Sequence, residues 1–197
     1  MAPRSEAQFE EIRNKSKAKI KEAALELFAR QGFDSTSMAQ VAKKAGVAKG
    51  LPYNYFASKD ELLMAVIEDL MKEGEHLIGQ AFAIEDPKEK LKHIIETTFE
   101  WLQLHSDRFK LVTALSLQMD QLPPKIRDIV GQKFGANLEI FGPLMKEAGL
   151  SATDDEALMF GAMMDGIAVQ YMVMKDDYPL ERIKAAIFRT WFPDETH

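Results

Sequence analysis

Apolar residues in this 197-residue chain recur at three- and four-residue spacing almost from end to end, and nowhere do they alternate convincingly as a strand requires. That period places them on one face of successive α-helices. Ile20, Ala23, Ala24, Leu27 and Phe28 form the first stripe, which stops at Gly32. Ser37 and Gln40 have capping-box spacing ahead of a short helix ending near Gly46. Ser58 and Glu61 repeat that signal before Leu62, Leu63, Val66, Ile67 and Leu70. Asp86, Pro87 and Glu89 supply an N-cap acceptor, a proline without a wasted N–H and an acid in the first turn. Later helices are expected up to about Gln118, after "QLPPK", after Thr153-x-x-Glu156, and over about 180–192. The expectation is all-α: three short helices, then about six longer ones. The first eight and last five residues or so carry no structural signal.

Charge divides the chain. Residues 1–59 hold 11 basic and 6 acidic residues, a net +5, while the remainder holds 14 basic and 25 acidic, a net −11. A basic first third on an acidic body suits a polyanion partner at one end, although a solvated basic helix face has the same composition. No cysteine is present, so disulfides and thiolate metal sites are excluded. No apolar run of about 18 residues stands out and the first residues lack an apolar signal core, so neither a membrane span nor a secretory leader is expected, consistent with a cytoplasmic protein.

"GVAKGLPYNYFASKDELL", residues 46–63, is the segment with chemistry. A helix, a glycine turn and a short polar and aromatic segment make a helix-turn-helix pattern, with 37–45 as bracing helix and 48–55 as recognition helix. Lys49, Asn54 and one of Tyr53 and Tyr55 then face outward, since adjacent-but-one residues cannot share a helix face. Pro52 has no N–H and its ring clashes with the carbonyl four residues back, on Ala48. The helix must therefore begin at an N-cap of Lys49 or later, in the limit with Leu51 as N-cap and Pro52 at N1.

Over residues 20–63, "AALELFARQGFDSTS" and "TSMAQVAKKAGVAKGLPYNYFASKDELL" resemble the DNA-binding domain of the TetR family of transcription regulators. The resemblance implies a homodimeric, ligand-responsive regulator, usually a repressor, on a palindromic double-stranded operator. It implies that Thr36 and Ser37 bind phosphate. It places Lys49, Gly50, Leu51, Tyr53 and Asn54 on DNA, and Tyr55 and Lys59 on its backbone. Ala48 departs from the usual Ser or Thr, and Pro52 from the usual Leu, Ile or Phe. The domains implied are a DNA-binding domain over 1–60 and a ligand-binding and dimerisation domain over 61–197.

The second part is acidic and rich in Met and Phe. Most of its apolar residues belong to a core, with a minority able to line a pocket for an unidentified small-molecule effector. Phe99, Trp101, Phe109, Met119 and Phe134 are candidate liners, with Met163 and Tyr171. Gln118, Asp165 and Gln170 are the polar residues amid apolar neighbours, and Asp165 requires a partner, an interface or a cationic ligand. The helices over 154–174 and 180–192 look too apolar to face water. Met159, Met163, Ile167, Ile183, Ile187 and Phe188 are therefore the candidate dimer interface, two helices from each chain.

Enzyme signatures are missing: no GxSxG, GxGxxG, HExxH or P-loop occurs. Glu73-x-x-His76 is half of a di-metal bundle motif, but the position three residues earlier is Lys90 for His93, Leu102 for His105 and Asp194 for His197, not the glutamate the motif needs. No cofactor, metal or membrane partner is expected.

Overall fold

The computed structural model describes residues 6–118, 120, 122–150 and 153–193, and their side chains except those of 130, 132–138 and 140. Among the described residues there are eight α-helices and no strand: α1 Glu6–Gln31, α2 Met38–Lys44, α3 Lys59–Ala81, α4 Pro87–Leu104, α5 Ser106–Leu117, α6 Pro124–Glu147, α7 Asp154–Met174 and α8 Leu180–Trp191. Single 3-10 turns occupy Leu51–Asn54 and Lys175–Asp177. The chain forms two compact units, Met1–Met71 and Lys72–His197. The division falls inside α3, eleven residues beyond the expected boundary at 60.

In the first unit, α1 begins at Glu6, earlier than expected. It buries Ile20, Ala23, Ala24 and Phe28 as expected, with Leu25 rather than Leu27 completing the stripe. Gly32 ends it at φ +85. Ser37 caps α2: its Oγ accepts the Gln40 N–H (3.3 Å), and the Ser37 N–H donates to Gln40 Oε1 (2.7 Å). At the other end the Val47 N–H reaches Ala42 O (3.0 Å) and the Gly46 N–H reaches Lys43 O (3.2 Å). That double bond pattern needs a left-handed residue, which Gly46 supplies at φ +68. Ser58 Oγ accepts from the Glu61 N–H (3.1 Å) at the start of α3, while Glu61 Oε2 accepts from Ala57 N–H (2.6 Å). The buried side chains of α3 in this unit are Leu62, Leu63, Met64, Val66, Ile67 and Leu70, and Met38 and Val41 of α2 and Phe56 are buried as well. Glu26 links α1 to α2 through Lys44 (2.7 Å), and Lys21 links α1 to α3 through Asp69. The hydrogen bond from Lys44 holds the Glu26 carboxyl below its ordinary pKa.

In the second unit Asp86 caps α4, accepting the Glu89 N–H at 2.9 Å, with Pro87 in the first turn. Leu91, Ile95 and Phe99 of α4 share one core with Met145 of α6, Phe160 and Ile167 of α7, and Ile187 of α8. Phe160 meets Trp191 edge-on at 5.3 Å. Gly149, at φ +69, closes α6 with the Leu150 N–H returning to Met145 O (2.9 Å). Two expectations change here. α8 has a polar outer face carrying Glu181, Arg182 and Arg189. The stretch Asp154–Asp177 is, by length and composition alone, apolar enough to cross a bilayer, so the absence of such a stretch does not hold.

Candidate nucleic-acid interface

The expected recognition helix is one 3-10 turn of four residues, with Gly50 as N-cap and Pro52 in the first two positions. The Leu51 N–H bonds Ala48 O (2.9 Å), Tyr53 N–H bonds Gly50 O (3.2 Å), and Phe56 N–H bonds Pro52 O (3.0 Å). Pro52 accepts but has no N–H to donate, so the α-helical ladder that an earlier start would need is broken where the proline stands. The Pro52 ring is buried, and this fixes which side of the turn faces out. Tyr53 is 58% exposed, Asn54 is exposed beside it, and Tyr55 is half-buried. Lys49 and Gly50 are exposed just before the turn, and Leu51 is half-buried. Lys49, Gly50, Tyr53 and Asn54 therefore lie together on one exposed segment.

Two expected phosphate ligands are differently employed. Thr36 is only 2% exposed. Its hydroxyl donates to Gly32 O (2.8 Å) and accepts from Gln31 Nε2 (3.1 Å), so it closes the α1–α2 turn and has no free proton for a phosphate. Ser37 is exposed, but its Oγ is engaged with Gln40. Lys59 is half-buried, and its ammonium donates to Phe33 O (2.8 Å) and stands over the Phe33 ring (4.2 Å). It ties the start of α3 to the turn after α1 instead of reaching outward.

Sequence reasoning missed Arg13 and Lys17 of α1. The Arg13 guanidinium lies over the Tyr55 ring (5.9 Å) and the Lys17 ammonium over the Phe56 ring (5.5 Å). The signal available in the sequence was the pair of cations four residues apart.

The second unit disperses most of the expected pocket. Phe99 is fully buried core, Trp101 packs edge-on against Phe109 (4.9 Å) beside His105, and Met163 and Tyr171 are half-buried against the core. Gln118 is exposed at the end of α5, and Asp165 and Gln170 are exposed on α7, so none of the three is an interior anchor. Apolar neighbours nevertheless desolvate the Asp165 carboxyl enough to raise its pKa. Met119 and the side chain of Phe134 lie outside the described residues. Of the expected dimer residues, Ile167 and Ile187 belong to the monomer core. Met163, Ile183 and Phe188 are half-buried, and Met159 is 69% exposed. Exposed Leu158, Ala162, Val169 and Val173 form an unpredicted stripe along α7. The half-motif for a metal is otherwise engaged: Glu73 bonds Arg108 (2.7 Å), and His76 lies 3.1 Å from Gln80.

A short capped helix, a left-handed glycine turn and an exposed turn rich in Lys, Tyr and Asn make up a helix-turn-helix unit. Residues 20–66 match the family model described as bacterial regulatory proteins, tetR family. It is 36% identical over 90 residues to the HTH-type transcriptional regulator YvdT of Bacillus subtilis, an alignment spanning 45% of this chain and 46% of that one. The chain thus spans about half the length of that relative. It is 26% identical over 158 residues to the HTH-type transcriptional regulator BetI of Brucella anthropi, covering 79% and 80% of the two chains. A TetR-family regulator from Agrobacterium tumefaciens superposes with a TM-score of 0.79 at 19% identity, covering 91% of this chain and 98% of that one. A regulator from Saccharomonospora viridis solved with choline gives 0.76 at 19%, covering 90% and 96%. These two structures share the fold.

Proposed function

We propose that this protein is a ligand-responsive repressor, not an enzyme, that works in the cytoplasm and binds a palindromic operator as a homodimer without a membrane partner. The observation that carries the reading is the recognition turn, whose buried Pro52 presents Tyr53 and Asn54 outward beside Lys49. Asn54 reads base edges, Lys49 neutralises phosphate, and Tyr53 and the main chain of Gly50 and Leu51 set the register.

The apolar outer stripe of α7 supports a homodimer. Trp101 and Phe109 support an aromatic wall for a small-molecule effector, a class exemplified by the choline of the Saccharomonospora viridis relative. α3 runs from the first unit into the second, so a shift of its second half is felt at its first turn. Taking the DNA-competent state from 99% to 1% requires about 10⁴-fold preference of effector for the other state, about 5.5 kcal/mol.

Selection from a pool of randomised duplexes tests the reading. A two-fold symmetric sequence with half-sites about 10 bp apart, or a multiple of that, is expected. Recovery of no enriched sequence overturns it.

A further inference from the structure

Two cations on α1 lie against the recognition segment and, among the described residues, have no carboxylate to pair with. Arg13 stands over Tyr55 and Lys17 over Phe56, at 5.9 and 5.5 Å from the ring centroids. Both are exposed, one helical turn apart on one face. Like charges at that spacing repel, and among the described residues no acid pairs with either. Lys15, between them, points to the opposite side and is bound to Glu11 (2.6 Å). The neighbouring Lys21 is taken by Asp69.

A ring face attracts a cation and holds it in place while leaving its outer N–H groups free. Here Tyr55 and Phe56 follow Tyr53 and Asn54 in the chain, so the two cationic heads are held at the edge of the outward-facing turn. The planar fork of arginine suits a phosphate in that position.

We infer that Arg13 and Lys17 are phosphate-binding residues that extend the DNA interface from the recognition turn onto α1, with the Tyr55 ring positioning Arg13. The inference rests on the DNA-binding reading above. The footprint ends at Arg13, because Glu10 lies one turn earlier and Glu6 beyond it, and both repel phosphate.

The test is fluorescence anisotropy of the full chain on a mixed-sequence duplex of about 30 bp, over a fourfold range of salt. Arg13→Gln and Lys17→Gln are each expected to lower the slope of log K against log salt by about 0.9 per protomer, or about 3.5-fold across that range. Arg13→Lys keeps the slope, Lys15→Gln leaves it unchanged, and Glu10→Lys steepens it. Thermal unfolding matched to wild type shows that the variants are folded, and Glu10→Lys carries the test if the glutamine variants are not. Slopes equal to wild type in Arg13→Gln and Lys17→Gln overturn the inference while leaving DNA binding intact. An equal fall in Lys15→Gln overturns it too, since net charge alone then explains the effect. A wild type that binds no duplex at all refutes the DNA-binding reading itself.

Discussion

The ammonium of Lys59 lies 2.8 Å from the main-chain oxygen of Phe33 and 4.2 Å from the centroid of the same residue's ring. One side chain thus ties the first turn of α3 to the turn leaving α1. Hydrogen bonds to charged groups contribute about 1.5–3 kcal/mol. Lys59→Met is expected to lower the melting temperature by about 2–4 °C per kcal/mol lost. The salt slope of DNA binding should stay at the wild-type value, whereas Lys49→Ala should lower it with no change in melting. A fall in slope for Lys59→Met with unchanged stability would reverse the assignment.

Pro52 is what keeps the recognition segment to a 3-10 turn. Pro52→Leu restores an N–H facing the Ala48 carbonyl and permits an α-helical start. The leucine amide at 52 is expected to be protected in hydrogen exchange, and sequence preference in duplex selection should change. An unprotected amide and an unaltered preference would show that the turn is set by α2 packing alone.

Val173 is 77% exposed on the outer stripe of α7, whereas Ile187 is 4% exposed inside the second unit. Val173→Glu should therefore give folded monomers by light scattering, with melting of dilute protein unchanged. Ile187→Glu buries a charge in the core and should unfold the unit instead. Dimers that persist in Val173→Glu would place the contact elsewhere.

Asp165 has a carboxyl whose pKa is raised by desolvation. In the native state it binds its proton more tightly than in the unfolded chain, so its contribution to stability falls as pH rises from the ordinary carboxylate range through the raised value. Asp165→Asn removes that loss. It is expected to raise the melting temperature at pH 7 and to do nothing at a pH below both values. A gain of equal size at both pH values would assign the effect to something other than ionisation.

Lys175 adopts φ 51, ψ −121 at the end of α7, a backbone conformation natural to glycine alone. Such strain costs about 1–3 kcal/mol. Lys175→Gly should relieve part of it, less the added flexibility of the unfolded chain, and raise the melting temperature by a few degrees. An unchanged or lower value would mean that the lysine side chain compensates locally.

Capping chemistry was readable in advance because it is local: Ser37 with Gln40 and Asp86 with Glu89 bond within four residues of themselves. The consequence of Pro52 was readable for the same reason, since a missing N–H acts on its own turn. The extension of α1 back to Glu6 was not, because Phe9 and Ile12 are exposed and continue no buried stripe.

Residue types and their spacing alone determined the all-α class, the place of the helix-turn-helix unit and the capped starts of α2, α3 and α4. Tertiary structure decided which of two neighbouring residues turns inward. Thr36 and Ser37 are both hydroxyls, yet only Thr36 meets Gln31 and is buried. α7 is apolar on nearly every side, so its sequence carries no phase. Only packing against α6 and α8 residues of the common core shows that Ile167 faces in and Val173 out. The same holds for Arg13 and Lys17, whose roles depend on rings some forty residues away in the chain. Hydrophobic burial has no direction of its own, so a position flanked by equivalent alternatives is settled by the surface the rest of the fold presents to it.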